Sequence, residues 1–169
     1  MLLVASWISL RTTSISRKTL FMNSVYSIIL GGVTVLLLMT QGVLSLKPWY
    51  APSYMIPLRG MIFASCMNNI SLSTERLESE LKQGHSYEKA KIIALRTSLI
   101  PITNMLLAVG LVSLPGMMTG QILSGVSPLI AVRYQIMVMC MIFGSSGISA
   151  AVFLHTAKDS FTKTKKRFE

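Results

Sequence analysis

Few side chains in this sequence could do chemistry, and none stand at catalytic spacing. His85 and His155, and Cys66 and Cys140, are far apart in the chain, with neither the CxxC nor the mixed Cys/His spacing of a zinc site. Both cysteines fall in apolar stretches and read as small packing residues. Met137, Met139 and Met141 alternate, but residues two apart on a helix diverge by about 200° and share no face for a soft metal ion. There is no GxxxxGK[ST] loop to cradle phosphate and no paired carboxylate inside an apolar run. The sequence therefore predicts no catalytic residue, no metal ligand and no cofactor bound by the chain itself.

What remains is backbone chemistry and neutral polar groups. Pro115-Gly116 follows an apolar run, and glycine recurs at Gly120 and Gly125. Proline removes a backbone donor and clashes with the preceding turn, so a helix break is expected near Leu114. Broken backbone at membrane depth survives only where protein or a wet cavity satisfies it, and transporters place substrate sites at such breaks. Gly116 and Gly120 also form a small-xxx-small pattern that suits close helix packing, and both readings stay open. Asn104, Thr119, Gln121 and Gln135 supply neutral polar groups nearby. With Pro115, Gly116 and Gly120 they form the candidate translocation set.

The elements that must position these groups are set by composition. Of 169 residues, 51% are hydrophobic and only 13% charged, about half the charge of an ordinary soluble domain. The mean hydropathy is +0.58. The net charge of +10 comes from 16 basic against 6 acidic residues, but the cations sit between the apolar runs. That layout excludes a nucleic-acid binder, whose cations would line one folded surface. A helix needs about 20 apolar residues to cross hydrocarbon. Spans are predicted near 25–46, 55–70, 99–114 and 131–155, with 1–10 as part of a further helix. The expected fold is all-α: a polytopic transmembrane helical bundle of four full spans plus one partial N-terminal span, forming a single domain over 1–169.

Alternating crossings put thirteen cations on one face, among them Arg17, Lys18, Arg76, Lys82, Lys89, Lys91 and those of the 157–169 tail. Lys47, Arg59 and Arg133 fall on the other. The positive-inside bias then sets the central loop and the C-terminus in the cytoplasm, with Trp49, Tyr50 and Tyr54 at the outer interface.

The central loop, 72–95, holds four of the six carboxylates. Leu77 and Leu81 stand one helical turn apart, and Glu78 with Lys82 forms an i,i+4 pair, so 74–83 is predicted to be a short amphipathic helix. Gly84 suits a left-handed cap. Ser86 then opens a second helix bearing Tyr87 and Ala90. The loop reads either as a solvated connector or as a docking element for a soluble partner.

The string Gly110-Leu-Val-Ser-Leu-Pro-Gly-Met-Met-Thr-Gly-Gln-Ile-Leu-Ser-Gly-Val-Ser-Pro128, with Ala131 and Tyr134-Gln-Ile136, resembles the signature of the FetB-type ABC transporter permeases. These are bacterial iron-export permeases and the related plant aluminium-tolerance membrane proteins. Tyr54-Met-Ile-Pro-Leu-Arg-Gly-Met61 is similar to a second family pattern, and Glu78-x-x-Leu81-x-x-Gly84 with Ala90 resembles the coupling loop. The resemblance implies a permease subunit of an exporter of iron, another metal ion or a metal-linked metabolite. It implies a separate nucleotide-binding ATPase subunit that binds ATP, coupled through Leu77, Glu78, Leu81, Gly84 and Ala90. A plasma-membrane location in the lipid bilayer, a homo-oligomer and no enzyme activity in this chain are expected. The family generally has further helices before the point where Met1 aligns, so an N-terminally truncated protein is expected. The alternative is a truncated, non-transporting interaction protein of the same family. The loop departs from the family in its polar 79–85 run, and Arg59 replaces a small apolar residue.

Cysteine-accessibility labelling tests the cation bias. Gln83→Cys and Thr164→Cys are expected to react only from the cytoplasm, and Ala51→Cys only from outside. Labelling of position 83 from outside would overturn the assignment.

Overall fold

A computed structural model of the chain describes residues 2–10, 17–43, 52–109, 115–158 and 160–161. The predicted aromatic belt at Trp49 and Tyr50, the 110–114 stretch and most of the basic tail lie outside the described residues. Every element described is helical. α1 covers Leu2–Ser9. α2 (Arg17–Ile28) runs on through a π turn at Ile29–Val33, α3 (Thr34–Leu37) and a second π turn at Leu38–Val43. α4 spans Pro52–Lys82, α5 Tyr87–Ala108, α6 Gly116–Leu123 and α7 Pro128–Thr156.

Among the described residues, three helices are long and apolar enough to cross a membrane: Leu20–Val43, Tyr87–Ala108 and Pro128–Thr156. The predicted 55–70 span and the predicted 74–83 surface helix prove to be one 31-residue rod, α4. No glycine or proline lies between Met61 and Gln83, so nothing interrupts the helix where its apolar part gives way to its polar part. The predicted 99–114 span is displaced toward the N-terminus. α5 begins at Tyr87, directly after the Gly84 turn, and passes through Pro101 without stopping.

The bundle is held where α2, α4 and α7 converge on the π turn. A β-carbon placed on Gly31 would lie 2.7 Å from the Ser149 backbone nitrogen and 3.0 Å from its Cα, and one on Gly32 would lie 3.1 Å from Ile62 Cγ2. The glycine pair is thus wedged between α7 and α4. The facing side of α7 is small: Ser145, Ser146, Ser149 and Ala150 are fully buried. The Ser145 and Ser149 hydroxyls donate to the carbonyls of Ile142 and Ser146 in their own helix, each at 3.1 Å. A serine so satisfied behaves as a small residue and lets helices approach. Across the seam Ser65 and Ser146 share a 2.5 Å hydrogen bond, and the buried Cys66 thiol donates to the Ser145 carbonyl. The small-residue contact therefore lies at Gly31 and Ser149, whereas β-carbons at Gly116 and Gly120 would meet nothing within 4 Å among the described residues.

Gly31→Ala should destabilise the protein by about 1–3 kcal/mol, the usual effect of overpacking a close contact. Gly60→Ala, in open space on the same bundle, should be neutral or stabilising by up to about 1 kcal/mol, because alanine suits a helix interior better than glycine. Thermal unfolding of the two variants in detergent separates them, and equal melting points would contradict the wedge.

Candidate functional site

Two regions carry polar groups in organised form: the end of the bundle at the α4–α5 turn, and a cavity between α4, α5 and α7. At the turn, Gly84 adopts φ +86°. Its N–H donates to the Leu81 carbonyl at 3.1 Å and that of His85 to the Glu80 carbonyl at 3.2 Å. This pair of bonds is a Schellman cap and requires a left-handed residue at Gly84. Glu80, buried at 2% exposure, accepts from Arg76 and from His85 Nδ1, both at 2.6 Å. The turn is tied to α7: the Tyr87 hydroxyl donates to the Leu154 carbonyl at 2.6 Å. Lys158 meets Glu88 at 2.7 Å and lies 6.0 Å from the centre of the Tyr87 ring. Asn23 of α2 donates to the Thr156 carbonyl at the same end.

This geometry changes the expected surface of the loop. Leu77 and Ala90 are fully buried and Glu78 nearly so. The stripe Ile70, Thr74, Leu77, Leu81 continues the core face of α4 at helical spacing, so Leu77 packs in the chain's own core. Lys82, Gln83, Gly84, Ser86, Glu88 and Lys89 are the residues exposed around the turn, with Leu81 half-buried beneath them.

A break does occur at Pro115. The residue is extended, at ψ 141°, and α6 begins at Gly116. α6 closes on Gly125, φ +87°, where the N–H groups of Gly125 and Val126 repeat the Schellman pattern onto Ile122 and Gln121. Pro128 then opens α7, where its missing N–H costs nothing. The polar residues predicted to gather at the break do not converge. Asn104, Thr119, Gly116 and Gly120 are exposed, and the Thr119 hydroxyl donates to Pro115. Gln135 is buried on α7. Gln121 is half-buried, and its Oε1 has no partner among the described residues.

The polar convergence lies elsewhere. A cavity of 310 Å³ between α4, α5 and α7 is lined by Ser65, Asn68 and Asn69 of α4, Ser98 of α5 and Ser146 of α7, with apolar walls that include Ile102, Met105 and Ile142. At about 1.5 Å per residue, Ser98 is about 17 Å along α5 from Tyr87 and two residues beyond Arg96. Among the described residues, none that lines the cavity is charged. Ser65 and Ser146 bond each other, and Ser98 donates to the Leu95 carbonyl at 2.9 Å. Asn69 is 4% exposed, and its Oδ1 lacks a hydrogen-bond partner among the described residues. The adjacent amides Asn68-Asn69, set in the 61–70 part of α4 that is otherwise apolar but for Ser65, were the visible signal of this polar cluster.

The sequence pattern of the Uncharacterised protein family (UPF0014) matches residues 1–161. A UPF0014 membrane protein of Synechocystis sp. is 41% identical over 137 residues, covering 71% of this chain and 53% of that protein. The Probable iron export permease protein FetB of Escherichia coli is 29% identical over 177 residues, covering 95% and 66%. Protein ALUMINUM SENSITIVE 3 of Arabidopsis thaliana is 34% identical over 127 residues, covering 66% and 46%. The chain thus spans about half to two thirds of the length of these relatives. No solved structure matches it. With a family match across nearly the whole chain, an all-helical architecture and three membrane-length apolar helices, the protein belongs to the UPF0014 family of membrane proteins.

Proposed function

We propose that the chain is the permease subunit of an ABC-type exporter, driven by a separate nucleotide-binding ATPase and moving iron, another metal ion or a metal-linked metabolite. One observation carries this reading: an exposed, capped turn at Gly84 is tied by Tyr87 and Lys158 to the end of α7. α4 and α5 leave that turn, and α4, α5 and α7 line the cavity. A push on the turn by a soluble partner would therefore reach the cavity walls through rigid helices, with no nucleotide bound by the chain. In this reading α4 is the fourth crossing, the basic end faces the cytoplasm, and the membrane is the plasma membrane. Copies of the chain associate within it. The naming of the Escherichia coli relative as an iron export permease supports the cargo class.

A second reading, a non-transporting interaction protein of the family, is favoured by one observation. Leu77, Glu78 and Ala90 are buried in the chain's own bundle, so partner contact falls to Leu81 and the exposed rim of the turn.

Co-purification with the cognate ATPase separates the two. Wild type should retain the ATPase. Leu81→Asp should lose it, and so should Gly84→Val, because a branched residue in the left-handed region is strained by about 1–2 kcal/mol. Failure of wild type to retain any ATPase would favour the second reading, and retention by both variants would remove the turn as the contact.

A further inference from the structure

We propose that the cavity between α4, α5 and α7 is the cargo site of this permease and that it accepts a small, uncharged solute bearing hydroxyl or amide groups. The proposal rests on the permease reading and narrows it, since a metal ion would then enter only within a charge-neutral complex.

The chemistry of the walls sets the class of solute. Five polar residues, all neutral, stand against apolar walls, and an ion brought there would meet no opposite charge among them. A pocket that is mostly apolar with a few placed polar groups is the usual form of a small-molecule site, and 310 Å³ lies at the lower end of the volumes such sites have. The serine hydroxyls are committed: Ser65 to Ser146, and Ser98 to Leu95. The amides supply recognition. Asn69 is more than nine-tenths buried, lines the cavity, and has an Oδ1 with no partner among the described residues. Its terminal torsion is soft, so the oxygen can turn toward a donor on the solute without breaking an internal bond. An amide presents both donor and acceptor, which matches a hydroxyl or another amide and offers nothing to balance an ion.

Three thiol reagents of the same reactive group and similar size test this: 2-hydroxyethyl methanethiosulfonate, which is neutral, and its trimethylammonioethyl and sulfonatoethyl counterparts, which carry one positive and one negative charge. The full chain in lipid nanodiscs would carry Ser65→Cys with the exposed native thiol removed by Cys140→Ala. The Cys140→Ala parent supplies the background from buried Cys66. Rates at position 65 are expressed against those of Gln83→Cys at the exposed turn. The neutral reagent is expected to react at position 65 at least tenfold faster than either ion on this scale. Adding Asn69→Leu should slow the neutral reaction at least fivefold and leave the melting temperature unchanged or raised, because no native hydrogen bond of Oδ1 is lost. Equal or faster reaction with the cation would overturn the neutral-solute assignment in favour of a cation path. Reaction with none of the reagents would show a closed packing void, and an unchanged neutral rate with Asn69→Leu would remove the amide's role. No ATPase enters the measurement, so these outcomes are independent of whether the ATPase binds.

Discussion

The structure depends on one close approach. Gly31 and Gly32 sit in a π turn where three helices meet, and the distance from Gly31 to the Ser149 backbone leaves no room for a β-carbon. In a bilayer the hydrophobic effect gives little drive for helices to associate, so packing and interhelical hydrogen bonds must supply it. Here the glycines permit the approach, and the serines of α7 exploit it by satisfying their hydroxyls within their own helix. The π turn itself widens the helix by one residue, a local feature often found at functional positions. It aims the glycine pair at α7 and α4 together. The Ser65–Ser146 and Cys66–Ser145 contacts follow from that approach, and Ser65 and Ser146 line the cavity.

The same seam gives the bundle a mechanical layout. α7 contacts the glycine wedge through Ser149, lines the cavity through Ser146, and ends at Leu154 and Thr156, where Tyr87 and Asn23 bind its carbonyls. The turn at Gly84 and the cavity are thus joined by shared rods, with about 17 Å of α5 between Tyr87 and Ser98. Long side-chain couplings are not required, because a helix carries displacement along its axis. Buried Glu80, held by Arg76 and His85 at 2.6 Å each, stiffens the end of α4 that a partner would press.

Much of this was legible in the sequence, for physical reasons. Charge-free runs locate membrane helices because an ion at mid-bilayer is costly, and the rods Leu20–Val43 and Pro128–Thr156 lie close to that expectation, whereas Tyr87–Ala108 begins twelve residues before the predicted 99–114 span. Gly84 and Pro115 mark breaks because one tolerates left-handed backbone and the other removes a donor. Other features were not legible. The polar pattern of 74–83 is the same whether that helix stands alone or continues α4, and only the lack of a breaker before it decides. An amphipathic stripe such as Leu77–Leu81 does not say whether it faces a partner or its own core. Gly31-Gly32 lies in an apolar run with no polar periodicity to mark a face. The cavity residues come from positions 65 to 146, and their convergence is a property of the packing.

The central claim is that the Gly31 wedge sets the approach of α7 to α4. Oxidative cross-linking of Ser65→Cys with Ser146→Cys, in a chain whose native cysteines are replaced by alanine, measures it most directly. The two hydroxyl oxygens are 2.5 Å apart, so a disulfide should form readily in the membrane and be found by mass spectrometry, and adding Gly31→Leu should abolish it by forcing the helices apart. Absence of the cross-link in the parent, or its persistence with Gly31→Leu, would contradict the account.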